Sequence, residues 1–127
     1  MPRTKSDTLT GREAEIMRIL WELGPSSAEA IRALMSGDPH DSSVRTFLRV
    51  LEEKGRVTHT VRGRTYIYRP RARQATAQRN AVRALLAGLF GGSAENLVLR
   101  LLEDEKISPG ELRELAESLE KRGRRDS

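Results

Sequence analysis

Apolar side chains recur at helical spacing over most of this chain and give way to strand-like runs only once. Ile16, Ile19, Leu20 and Leu23 mark a first helix. Thr10-Gly11-Arg12-Glu13 reads as its capping box, with Thr10 accepting from the backbone and Glu13 reaching back. Gly24-Pro25 stops it. A second capping box, Ser26 to Glu29, opens a short helix whose buried face is Ala30, Ile31 and Leu34; it ends near Gly37-Asp38-Pro39. Val44, Phe47, Leu48 and Leu51 stripe a third helix, Ser42 to Lys54, capped by Asp41 or Ser42. Gly55 then stands where a helix end wants positive φ.

Val57 to Val61 and Arg64 to Tyr68 are rich in Val, Thr, Tyr and Ile and meet at Arg62-Gly63-Arg64, a hairpin signal. Tyr66 and Tyr68 fall on one face of it and read as packing residues. Pro70 to Arg73 reads as a linker. Beyond it, Ala81, Val82, Leu85, Leu86, Leu89 and Phe90 form one helical stripe, broken by Gly91-Gly92. Ser93 caps the next helix, striped by Leu97, Val98, Leu101 and Leu102. Ser108-Pro109-Gly110-Glu111 starts the last, lined by Leu112, Leu115, Ala116 and Leu119. Met1 to Asp7 reads as a frayed lead and the charged tail from Lys121 as loose.

The fold class expected is mainly α with a small β-hairpin wing. An N-terminal winged helix-turn-helix spans 1–70, and a C-terminal three-helix dimerisation domain spans 71–127. Three short helices with wide apolar stripes are too few to bury them. Interleaving of two copies solves that problem, through Leu85, Leu89, Leu97, Val98, Leu101, Leu102, Leu112, Leu115 and Leu119. The alternative is packing on the front half; the linker and the change in composition favour separate units.

Charge adds direction. Lys54 to Arg83 holds nine basic side chains and no Asp or Glu, although the chain as a whole is only +5. Like charges repel, so a one-signed stretch is suited to a polyanionic partner. The polar face of the third helix carries Ser42, Ser43, Arg45, Thr46, Arg49 and Glu53. Short hydroxyls and guanidiniums suit base edges and phosphates. Arg62 and Arg64 at the hairpin tip are placed to touch phosphate or enter a minor groove. Each feature has a plainer reading: a solvated helix face, and an edge hairpin kept soluble by arginine. Their succession, a third helix feeding a basic hairpin, favours double-stranded DNA. A protein-docking module with an acidic partner and an RNA-binding winged helix are the rivals.

No enzyme is expected, and no metal or cofactor. The chain has no Cys. His40 and His59 lack ligand spacing or a triad partner and read as solvated side chains. Glu103-Asp104-Glu105, Glu111 and Glu114 read as helix-surface charge. Gly91-Gly92-Ser93 lacks the Lys of a phosphate loop. No apolar run approaches the roughly 20 residues of a membrane span, and the N-terminus lacks a signal core, so a cytoplasmic protein without membrane insertion is expected.

Several runs, in order, resemble one known family. Leu9-Thr10, Glu13-Ala14-Glu15-Ile16-Met17 and Leu20-Trp21 are similar to the opening of the BlaI/MecI/CopY penicillinase-repressor-type regulators. So are Ser43-Val44-Arg45-Thr46, Leu51-Glu52-Glu53-Lys54-Gly55, Gly63-Arg64, and Tyr66-Ile67-Tyr68-Arg69-Pro70. Leu97-Val98-Leu99, Leu101-Leu102-Glu103, Ser108, Glu111-Leu112 and Leu115 continue the match. The resemblance implies a dimeric repressor on inverted-repeat operators, often of TACA/TGTA type, with Ser42, Ser43, Thr46 and Arg49 facing the major groove and Arg62 to Arg64 on the wing. On the antibiotic-responsive branch it also implies a membrane sensor-protease as partner and cleavage of an Asn-Phe bond. Here that pair is Arg100-Leu101. The copper branch carries C-terminal cysteines, which this chain lacks. Val50 stands where many members have a polar or basic residue.

Overall fold

The computed structural model describes residues 9–126; the expected frayed lead, Met1 to Asp7, lies outside the described residues. The order is α1 (Gly11–Leu23), β1 (Ser26–Ser27), α2 (Ala28–Leu34), α3 (Asp41–Glu53), β2 (Val57–Arg62), β3 (Thr65–Pro70), α4 (Gln74–Leu89), α5 (Ala94–Glu103) and α6 (Pro109–Asp126). This is a mainly α protein with a small antiparallel sheet: a winged helix-turn-helix followed by three helices. It forms two compact units, the first ending at Gln78 and the second beginning at Arg79.

In the first unit, α1 begins with the full capping box of Thr10 and Glu13. Its C-cap, Gly24, takes φ 87. Ser26 does not cap α2. It joins the short β1, and Ser27 accepts from the Ala30 N–H as the true N-cap. α3 starts at Asp41 with His40 as an N-cap that makes no side-chain bond, so neither Asp41 nor Ser42 caps it. The negative charge of Asp41 still lies in the first turn, where the helix dipole favours it. α3 closes as a Schellman turn: Gly55 N–H donates to Glu52 O, Arg56 N–H donates to Leu51 O, and Gly55 takes φ 77.

Ile16, Leu20, Ile31, Val44, Leu48, Leu51 and Val57 are the largest fully buried side chains of the core. Phe47 packs against that cluster while partly buried. Leu23 and Leu34, expected inside, are exposed instead; they lie at the last turns of α1 and α2, and Ala28 and Met35 fill the space inside.

The sheet has order β1-β3-β2. β2 and β3 pair antiparallel from Val57↔Pro70 to Arg62↔Thr65, leaving Gly63 and Arg64 as the two-residue loop. Gly63 has φ 67, the left-handed value that the first loop position of a tight hairpin demands. The strands run further than expected, and Pro70 belongs to β3 instead of the linker. Ser26 and Ser27 add the third strand along the free edge of β3.

A buried ion pair ties the ends of α1 and α3. Lys54 Nζ lies 2.6 Å from Glu13 Oε1, with side-chain exposures of 7% and 5%. Burial alone would raise the Glu13 carboxyl; the hydrogen bond from Lys54, the Thr10 bonds and the Lys54 charge outweigh it and hold the group below its ordinary value. Glu15 pins the turn after α2. It accepts from Ser36 N–H at 3.0 Å and Ser36 O–H at 2.8 Å, while Arg12 Nη1 donates to Glu15 Oε1 at 2.8 Å and Ser36 O at 2.7 Å. Those two Ser36 bonds, followed by Arg12, lower the Glu15 pKa to about 2.

In the second unit, Ser93 caps α5 by accepting from Asn96 N–H. Ser108 and Glu111 form a reciprocal capping box for α6. Gly91 and Gly92, both at positive φ, join α4 to α5, which are bent by 93° from one another. α6 continues through the charged segment to Asp126, so the tail from Lys121 is helical where a loose end was expected. No residue of α4 or α5 is buried. Leu89 is 81% exposed, Leu115 55% and Leu119 64%.

Candidate nucleic-acid interface

α3 turns its apolar stripe inward because Val44, Leu48 and Leu51 recur at intervals of three and four residues. The remaining positions must face out. Ser42, Arg45, Thr46, Arg49 and Glu53 are exposed, and Ser43 is half-buried beside Val44. Thr46 donates its hydroxyl to Ser42 O at 2.9 Å, which leaves its lone pairs for an outside donor. Arg45 Nε donates to Asp41 Oδ2 at 2.9 Å, an exposed pair whose hydrogen bond and charge both favour the charged guanidinium. Arg49 Nε stands 4.0 Å from Glu53 Oε1. Both arginines are thus laid along the helix surface by a carboxylate one turn away.

Hairpin register decides where the two tip arginines go. Side chains alternate across a strand, and Arg62 pairs with Thr65. Arg62 therefore shares a face with Thr58, Thr60 and Arg69, while His59, Val61, Tyr66 and Tyr68 occupy the other. Arg64 sits in the loop itself. It lines a concavity with Arg45, Glu29, Thr65, Tyr66 and Tyr68, between α3 and the wing. Residues distant in sequence, Arg45 and Arg64, thus share one groove, and Arg62 is directed to a different side of the hairpin. Glu29, on the first turn of α2, puts an acid in the same groove.

A cluster missed by the sequence reading holds the wing to α3. His59 Nδ1 pairs with Glu52 Oε1. The His59 ring stacks on Tyr66 at 4.3 Å and 11°, and Tyr68 tilts against both rings. His59 is therefore engaged, not a solvated side chain. Tyr68 packs in the core as expected, but Tyr66 is 50% exposed, its ring shared between His59 and the groove. Burial, and then the Glu52 charge, raise the Tyr68 hydroxyl pKa. The signal was present: two-residue alternation across a hairpin turning at Gly63 puts His59 opposite Tyr68 and Val61 opposite Tyr66.

No group of three or more His, Cys, Asp or Glu able to hold a metal ion occurs among the described residues. No single helix among them is long and apolar enough to cross a membrane.

The model of the penicillinase repressor family matches residues 9–121. A penicillinase repressor from Bacillus licheniformis is 25% identical over 118 residues, spanning 91% of this chain and 92% of that protein. An uncharacterised 16.5 kDa protein in the ptsI 3′ region of Latilactobacillus sakei is 26% identical over 116 residues, spanning 90% of this chain and 80% of its own. A solved structure of a Lactococcus lactis ZitR mutant aligns over 100% of this chain and 82% of that one, with 16% identity and a TM-score of 0.48.

Proposed function

Because this chain belongs to the penicillinase repressor family, we propose that it represses transcription as a homodimer whose two α3 helices enter successive major grooves of an inverted-repeat operator. The observation that carries this reading is the groove in which Arg45 of α3 meets Arg64 of the wing, beside the exposed Thr46 and Arg49. A helix and an adjoining cationic loop can follow a groove and its phosphate rail together.

Each side chain has a distinct part. Ser42, Ser43, Thr46 and Arg49 face base edges. Arg45 and Arg64 hold phosphates on either side of the groove, and Arg62 reaches phosphate from the outer face of the wing. Two copies joined through α4 to α6 hold the reading helices roughly 34 Å apart, one helical turn of duplex. The apolar side chains left exposed on these helices are what a second copy would cover. Repression follows from occupancy of the promoter by the cytoplasmic protein. The signal that releases it does not act by cutting an Asn-Phe bond at the family's position, since Arg100-Leu101 stands there, inside α5. A membrane sensor-protease acting on this chain would have to accept a different bond there or cut at another position.

Mobility shift on the promoter beside the gene, against random duplex, tests the reading. With about four phosphate contacts per half, log K falls against log salt with a slope of about −7. A flat salt response, or equal affinity for both duplexes, overturns it.

A further inference from the structure

An open cleft of about 400 Å³ lies away from the α3–wing groove, where the end of α1 meets the strap that follows β3. Trp21, Pro25 and Pro70 line it, with the buried Leu20 behind them. The strap, Arg71 to Arg73, forms its rim, tethered by Trp21 Nε1–H donating to Ala72 O at 2.9 Å. Arg71 is held in turn by its N–H donating to Arg56 O at 3.0 Å. No Asp or Glu lines the cleft, and neither Arg71 nor Arg73 forms an ion pair among the described residues.

Apolar walls with a few convergent polar groups are the usual make-up of a small-molecule site. Here the walls include one flat π-face and two rigid proline rings, which favour a planar apolar body. The only charged residues on the lining are Arg71 and Arg73. A guanidinium is a fork that fits a carboxylate with paired N–H donors. That of Arg71, which rests 3.6 Å from where a Cβ on Gly55 would stand, would swing over to join Arg73. We propose that this cleft binds a small aromatic carboxylate, its ring against Trp21 and its carboxylate on Arg71 and Arg73. The strap is the covalent route from β3 to α4, so an occupant touches the segment through which wing and helical unit are joined.

Trp21 is the single tryptophan of the chain, so its fluorescence reports on this cleft alone. Titration of the free full-length protein with benzoate, acetate and benzyl alcohol tests the site without any DNA. Benzoate is expected to change the emission saturably, with a midpoint at or below ~1 mM. Acetate, which lacks the ring, gives no change. Benzyl alcohol, which lacks the charge, binds at least about tenfold more weakly. The double substitution Arg71→Ala, Arg73→Ala weakens benzoate about tenfold and leaves benzyl alcohol as it was. Both arginines are exposed, and circular dichroism verifies that the doubly substituted protein is folded. A benzoate response that never saturates, equal responses to benzoate and benzyl alcohol, or an unchanged benzoate titration in the folded double variant overturns the proposal.

Discussion

Two carboxylates two residues apart on α1, and so on different faces of it, do unlike work. Glu15 holds the α2–α3 turn through Ser36, and its pKa of about 2 lies below the ordinary 4.5. A depressed carboxyl contributes stability that is present above the unfolded value and lost as pH falls through the folded one. The contribution should thus be intact above about pH 5 and vanish toward pH 2. Glu15→Gln is expected to cost about 1–2 kcal/mol in urea unfolding at pH 7, and the gap from wild type should narrow below about pH 4.5 and close only as the pH falls through about 2. Glu13 is the buried case. Lys54→Ala leaves its charge without that partner in the core and should cost about 3–5 kcal/mol by the same measurement. Neither role was legible from the sequence. Glu13 was read correctly as a capping residue, but its partner lies forty-one positions away. Local spacing carries no information about such a pair. His59 was misread for the same reason: its meaning depends on Glu52 and Tyr66, which the hairpin register brings to it.

The elements themselves were legible wherever a period of 3.6 or a turn residue wrote them. Thr10, Ser93, Ser108 and Gly63 marked their starts and turns correctly because each acts through its immediate neighbours. Boundaries failed where no local signal exists. β1 is two serines that become a strand only because β3 offers a free edge. α6 runs on to Asp126 although no apolar stripe marks its last turns. The ends of α3 and α5 share one geometry and differ in one residue. Both make the paired bonds of a Schellman turn, but Gly55 fills the left-handed position in the first and Glu105, at φ 58, fills it in the second. Glu105→Gly should stabilise the helical unit by about 1 kcal/mol, read as a rise in thermal midpoint. Gly55→Ala should destabilise by about 1 kcal/mol, from the φ of 77 and not from crowding, since an added Cβ would meet Arg71 Nη1 at an ordinary 3.6 Å. On the interface elements, Arg49→Ala should lose about 1–3 kcal/mol of preference for operator over random duplex. Arg64→Ala should weaken both duplexes alike. If the two substitutions behave the same in competition binding, the division of labour between α3 and wing is wrong.

At the scale of the molecule, the first unit closes a core on itself and the second does not. The second unit's described residues include none that is buried, and Leu89 projects almost fully into solvent. Leu89→Asp should therefore leave the first unit folded while shifting sedimentation from dimer toward monomer. Operator affinity should fall by about a hundredfold or more as the second half-site is lost. An unchanged sedimentation profile would place the dimer contact elsewhere or remove it. The sequence pattern conveyed the apolar stripes of α4 to α6 faithfully; what it could not convey is which surface covers them.

If α3 reads DNA as proposed, Asp41 and Glu53 give it a built-in rival for that ligand. Each lies one turn from an arginine of that helix and engages it before any nucleic acid arrives. Every encounter with a stray duplex must first displace these anions, and a random sequence offers only phosphate in exchange. A matched operator offers base edges as well, but the cost of displacing the anions is common to both and lowers both affinities by one factor. On the proposed function the two acids would act as a brake on residence along a crowded chromosome, and Asp41→Asn should make the protein stickier on every duplex alike.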